Sequence, residues 1–272
     1  MSQGKREKST RRRQPKRKGS TESGGSAGGG PARGPLQGKA TRTLTIDIGG
    51  TGIKVLLLDA HGKPISERAR ELTPKPSTPA ALLRVLEKMI EQHRPFERVS
   101  VGFPGVVVRG TVKAAANLGT EVWAGYDLGK ALRTIAHVPV RVLNDAELQG
   151  YGVIQGRGVE MVLTFGTGIG VALYTNGHLV PNCELGHHPW KKGHTYEQRL
   201  GDATLKRIGK RRWCRRVRQM VAELEPIFNY DTLYLGGGNA RLLRFKLPDN
   251  VKLFTNVDGM SGGIRMWTDT AD

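Results

Sequence analysis

The chain has 272 residues, 37 of them glycine, and a formal net charge of +19. That length supports one large or two medium domains with real cores. No apolar run approaches the roughly 20 residues that span a bilayer, and the basic N-terminus is not followed by an apolar leader core, so no membrane partner and a cytoplasmic protein are expected.

Residues 1–40 carry eleven Lys/Arg against Glu7 and Glu22, in clusters such as Arg11-Arg12-Arg13 and Lys16-Arg17-Lys18, followed by a Gly/Ser run from Gly24 to Gly30. So little apolar surface cannot offset chain entropy, and a disordered basic tail is expected. It attracts polyanions loosely, nucleic acid only as a weak contact, or it merely solubilises the chain.

From Thr43 the pattern turns apolar. Leu44–Ile48 reads as a strand, Gly49-Gly50-Thr51-Gly52 as a turn and Ile53–Leu58 as the hairpin partner, with a third strand over about Pro64–Leu72. Leu82, Leu83, Leu86, Met89 and Ile90 predict a helix over about Thr78–His93. Arg98–Phe103 reads as a buried strand, Leu128–Ala136 as an amphipathic helix, and Val138–Leu143 as a strand that delivers Asn144-Asp145 to its C-terminal end. A helix follows from about Ala146. Asp145 at that point is either a reactive carboxylate at a strand end or simply a helix cap.

The glycine turn lacks the G-x-G-x-x-G spacing of a dinucleotide fold and the Gly-Lys-Ser/Thr of a Walker loop. It does offer backbone N–H groups that a phosphate can approach closely. Gly50-Thr51-Gly52-Ile53-Lys54-Val55 recurs as Gly166-Thr167-Gly168-Ile169-Gly170-Val171, after a strand over Met161–Phe165. One such turn is by default structural; two copies, the first beside Asp47, point to a phosphate clamp of two facing halves. Further on, Asp231–Leu235 is a strand ending in Gly236-Gly237-Gly238, so the second half repeats the β-β-β-α-β order of the first.

Taken together, Asp47-Ile48-Gly49-Gly50-Thr51, Asn144-Asp145-Ala146, Phe165-Gly166-Thr167-Gly168-Ile169-Gly170, Glu184-Leu185-Gly186-His187 and Leu235-Gly236-Gly237-Gly238 resemble the ROK sugar kinases of the actin-like ATPase superfamily. Gly52-Ile53-Lys54, Ala115-Ala116-Asn117 and Gly193-His194 with Glu197 resemble the branch of that family that phosphorylates glucose from polyphosphate. The resemblance covers about residues 43–265. It implies an α/β duplicated actin-like (ribonuclease H-like) fold, with an N-terminal lobe over 41–145, a C-terminal lobe over 146–272 and a cleft between them. It implies transfer of a phosphoryl group from polyphosphate and/or ATP to the 6-hydroxyl of glucose, or of another hexose such as N-acetylmannosamine. A non-catalytic sugar or polyanion binder of the same fold is the reading of a different class.

By the same resemblance Asp145 is the general base, and Asn117, Asn144, Glu184, His187 and Glu197 hold sugar hydroxyls. Asp47, Gly49, Gly50, Thr51, Gly52, Lys54, Gly166, Thr167 and Gly168 surround phosphates, Mg²⁺ lies near Asp47, and Gly236, Gly237 and Gly238 lie under a nucleotide. A homodimer is left open. Most members of the family carry a cysteine-rich zinc loop after the Glu-x-Gly-His segment; here His188–His194 contains no cysteine, so no structural zinc is expected, and Cys183 and Cys214 are expected as free thiols. Residues 1–40 are not expected to form the winged helix that family repressors carry in front. A last departure is basic: on a single helix over Lys206–Arg218, Arg207, Arg211, Arg215 and Arg218 share one face while Trp213, Val217, Met220, Val221 and Leu224 share the other. That face is a solvated one or a track for a long polyanion.

Overall fold

The computed structural model describes residues 41–268; the basic segment 1–40 expected to be disordered, and residues 269–272, lie outside the described residues. Among the described residues no helix is long and apolar enough to cross a membrane.

The first half runs β1 (Thr43–Ile48), β2 (Gly52–Leu58), β3 (Ala69–Leu72), α1 (Pro79–Gln92), β4 (Arg98–Phe103), a small hairpin of β5 (Val106–Val108) and β6 (Thr111–Ala114), α2 (Thr120–Trp123), α3 (Leu128–Ala136), β7 (Val140–Asn144) and α4 (Asp145–Val153). Its sheet has the order β3-β2-β1-β4-β7, antiparallel through the first three strands and parallel from β1 onward. All six residues of β1 are buried, as befits a central strand covered on both faces. Helix α1 begins where Thr78 accepts a hydrogen bond from Ala81 N and Pro79 occupies the first turn, and it buries Leu82, Leu86, Met89 and Ile90 against the sheet. The third strand is shorter than the sequence suggests: Pro64 makes only an isolated bridge to Leu58, because it has no N–H to give to a ladder.

The second half repeats the plan with β8 (Val159–Phe165), β9 (Ile169–Thr175), β10 (His178–Val180), a short hairpin of β11 (Pro189–Lys191) and β12 (His194–Thr195), α5 (Tyr196–Leu200), α6 (Asp202–Ile208), α7 (Lys210–Phe228), β13 (Thr232–Gly236), β14 (Val251–Leu253) and α8 (Asn256–Met260). The order β10-β9-β8-β13-β14 matches the first sheet strand for strand. The expected duplicated α/β fold is therefore present, but the two hairpins are unequal. Ile48 pairs with Ile53 across four turn residues, whereas Phe165 pairs with Ile169 across three. Thr164 and Gly170 consequently occupy the places of Asp47 and Lys54, so the acid–base pair of the first hairpin has no counterpart in the second.

The basic segment is two helices, not one. Gly209 at φ 76° is reached from α6 and starts α7; an L side chain rarely adopts that backbone, and the helix is interrupted there. Arg207 thus belongs to α6, while Arg211, Arg215 and Arg218 stay on the exposed side of α7 and Trp213, Val217, Met220, Val221 and Leu224 are buried as expected. After α8 the chain returns to the first sheet. Ser100 Oγ donates to Gly263 O at 2.6 Å and accepts from Trp267 Nε1 at 2.8 Å, and Met260 and Ile264 cover Leu56 and Leu58 of β2.

Candidate active site

Between the glycine turns lies a cleft of about 390 Å³. Strand β1 delivers Asp47, only 3% exposed, followed by Gly49, Gly50 and Thr51. Lys54 returns on β2 with its Nζ 2.6 Å from Asp47 Oδ2, an ion pair whose partial burial keeps it from full solvent screening. A Cβ placed on Gly50 would lie 3.8 Å from Thr167 Oγ1 and 4.0 Å from Asn117 Cβ. The two turns therefore face each other closely, with Asn117 beside both.

Asp145 is the first residue of α4, and the helix is capped by its neighbour. Asn144 Oδ1 accepts from Ala146 N at 2.8 Å, and Glu147 Oε2 accepts from Asn144 N at 3.0 Å, closing a capping box. Asn144 Nδ2 also donates to Gly105 O at 3.1 Å, and Oδ1 accepts from the Glu147 backbone in the capping box as well as from Ala146 N, which leaves that side chain one amide hydrogen for the cleft. The helix approaches β4 at Gly102, where a Cβ would meet Asp145 Cα at 3.1 Å. Asp145 is thereby held in the cleft wall, and its carboxyl is pushed up to about 7, first by desolvation and then by the negative charges of Asp47 and Glu184.

The second half supplies the opposite wall. Gly166, Thr167 and Gly168 form its turn, closed by Gly166 N donating to Gly168 O at 3.0 Å. Phe165 just before it packs edge-on against buried Trp213, ring centres 5.5 Å apart, and Trp213 Nε1 donates to Leu200 O at 2.7 Å. Glu184 and His187 flank one 3₁₀ turn, with His187 Nε2 3.6 Å from Glu184 Oε2. Desolvation raises the Glu184 carboxyl; the His187 charge opposes this and the Glu197 charge adds to it. Glu197, in the first turn of α5, reaches back so that its Oε2 accepts from Ile169 N at 3.2 Å.

Gly237 and Gly238 line the cleft, but two of the expected residues do not. Gly236 lies inside β13, where a Cβ would fall 2.1 Å from the Phe254 ring, and the Arg70 guanidinium packs 2.8 Å from the equivalent point on Gly52. Both glycines make room for protein, not for a ligand. Conversely, Gln149 and Thr164 line the cleft without having been singled out. Gln149 stands four residues after Asp145 on the same helical face, and its buried Oε1 has no hydrogen-bond partner among the described residues. Thr164 is the duplicate of Asp47. Both cysteines are free thiols, Cys214 buried and Cys183 half-buried.

A duplicated sheet closing two glycine turns on a cleft is the architecture of actin-like ATPases and sugar kinases. Residues 43–238 match the model of the ROK family, and the chain belongs to that family. It is 32% identical over 238 residues to the polyphosphate glucokinase of Mycobacterium leprae, a match covering 81% of this chain and 73% of that protein. Among solved structures, the inorganic polyphosphate/ATP-glucomannokinase of Arthrobacter sp. strain KM superposes with a TM-score of 0.75 at 28% identity, over 84% of this chain and 99% of that one. The ROK family glucokinase of Streptomyces griseus, solved with glucose and AMPPNP, shares the fold with a TM-score of 0.67 at 19% identity, over 83% and 98% of the two chains.

Proposed function

We infer that this chain is a glucokinase that transfers a phosphoryl group from polyphosphate or ATP to the 6-hydroxyl of glucose. The observation that carries the reading is Asp145: a carboxyl in the cleft wall, opposite paired glycine turns, with an affinity for protons centred at about 7, where a general base is most effective at neutral pH. In the reaction Asp145 takes the proton of the 6-hydroxyl as that oxygen attacks the terminal phosphorus. The bond from phosphorus to the shortened polyphosphate or ADP breaks, and the leaving oxygen keeps the electron pair.

Phosphoryl transfer asks chiefly for positioning and charge neutralisation. Gly49, Gly50, Thr51, Gly166, Thr167 and Gly168 offer backbone N–H groups to the phosphates, and Lys54 offers its ammonium. Gly237 and Gly238 are assigned to the nucleotide when ATP is the donor. Asp47 suits a Mg²⁺ ion, since such an ion is held by one or two carboxylates together with substrate phosphates; when bound it neutralises developing charge on those phosphates. Glu184, His187, Glu197, Asn117 and Asn144 are assigned to the sugar hydroxyls, a set whose unpaired polar groups would penalise a sugar lacking them. The similarity to a polyphosphate glucokinase and to a polyphosphate/ATP-glucomannokinase supports this donor and acceptor class.

The test is a phosphorylation assay with glucose, mannose and N-acetylmannosamine against ATP and polyphosphate in parallel. Glucose turnover is expected with at least one donor. Asp145→Asn should keep glucose binding and lose about 10²–10⁴-fold in kcat; retained turnover refutes the assignment.

A further inference from the structure

Between Asp202 and Glu223 the chain contains eight Lys/Arg and no acidic residue. Seven of them, Lys206, Arg207, Lys210, Arg211, Arg212, Arg215 and Arg218, are exposed. Lys206 pairs with Asp202 at 2.6 Å, but among the described residues Lys210, Arg211, Arg212, Arg215 and Arg218 form no ion pair. Three of these cations sit in the first turn of α7, where there is no acidic residue and no side-chain cap. Positive charge at that end works against the helix dipole, so the arrangement serves folding badly.

The placement suggests what it does serve. Helix α6 starts on the second glycine turn: Asp202 N donates to Gly166 O at 3.1 Å. It is seven residues long, roughly 10 Å, and α7 follows directly with its buried Trp213 against Phe165. The basic surface therefore begins one short helix away from the turn assigned to the donor phosphates. A linear donor whose reacting end lies in the cleft must leave it, and every further unit of a polyphosphate carries negative charge. Trp213 is the one aromatic residue in 202–227 and is fully buried, so the surface has charge without the stacking platforms that grip single-stranded nucleic acid.

We propose that the exposed basic face of α6 and α7 binds the distal part of long polyphosphate chains and tethers them while their ends react in the cleft. This rests on polyphosphate being a donor of the reaction. The surface holds the polymer by charge alone, so it favours long chains over short ones, leaves ATP unaffected and weakens with salt.

The test uses the full chain with Arg211, Arg212, Arg215 and Arg218 all replaced by Gln, positions that are exposed and outside the cleft. Binding of labelled long-chain polyphosphate is titrated at about 50 and about 200 mM salt, and KM is measured for long-chain polyphosphate, tripolyphosphate and ATP. The dissociation constant and KM for the long polymer should rise about tenfold or more with a shallower salt dependence. KM for tripolyphosphate and ATP should stay within about twofold. An unchanged dissociation constant for the long polymer, or a parallel rise for all three donors, overturns the proposal. So does tighter binding of an RNA of matched charge than of the polymer, since charge alone favours the denser polyanion and only base contacts would reverse that order. If the Gln variant loses binding but the parent protein transfers nothing from polyphosphate, the surface is a polyphosphate-binding one, and the tethering role falls together with the donor reading.

Discussion

Replacing Asp145 by asparagine should stabilise the protein as it disables it, and the size of the effect follows from one carboxyl. Its proton affinity rises from 3.8 to about 7 on folding, so at about 1.4 kcal/mol per pH unit the ionised form costs the native state about 4 kcal/mol. The sign is fixed by linkage: a group whose affinity for protons is raised by folding favours the native state below its unfolded value, and that advantage disappears as pH climbs through the folded value. The parent protein should therefore lose stability relative to Asp145→Asn between about pH 4 and pH 7, with a constant deficit above. At about 2–4 °C per kcal/mol for a chain of this size, the variant should melt about 10 °C higher at pH 8, about 3 °C higher at pH 4.5 and nearly level with the parent at about pH 3.5. Ligand-free thermal melts across that range check it. Parallel pH profiles for the two proteins would refute the desolvated carboxyl and, with it, the case for Asp145 as the base.

The same carboxyl should govern turnover: kcat/KM should rise with pH and level off above an inflection near 7, and Asp47→Asn, by removing a negative neighbour, should move that inflection downward in whatever activity remains. Gly168→Ala places a methyl 2.1 Å from Glu197 Oε2; displaced, that carboxylate no longer accepts from Ile169 N, and steady-state kinetics should show a higher KM for the sugar with a smaller change in KM for the donor. Trp213→Ala removes the ring that backs Phe165 and should cost about 3–5 kcal/mol, read as a lower midpoint in urea. Glu147→Ala deletes an acceptor shared by Asn144 N and Asn182 N; leaving those donors unpaired costs about 1–3 kcal/mol each, and kcat should fall although Glu147 does not line the cleft.

Local patterns were legible and long-range ones were not. The hairpin strands, α1 and the glycine turns announce themselves through spacing, and the repeat of Gly50–Val55 at Gly166–Val171 was enough to foresee two sheets of one order. The repeat concealed the one-residue difference between the turns, since the match begins at Gly50 and leaves the extra residue, Gly49, outside it. Arginines at helical spacing ran across Gly209 and made two helices look like one. The cap of α4 was written as Asn144 with Glu147 three residues on, yet Asp145 drew attention as the more reactive side chain. What no spacing reveals is Glu147 reaching Asn182 N, 35 residues away in the opposite half. That bond exists because the two halves pack, as does the crowding that excludes Gly52 and Gly236 from the cleft.

The return of the last segment to the first sheet sets a timetable for biosynthesis. Ser100 leaves the ribosome well before Gly263, 163 residues behind it, which at about 5–20 residues per second is a delay on the order of ten to thirty seconds. Throughout that interval the outer side of β2 at Leu56 and Leu58 lacks the cover of Met260 and Ile264. The half of the protein made first is thus finished last, and a message cut short after β14 would yield a complete second sheet beside a first sheet with a bare apolar strip.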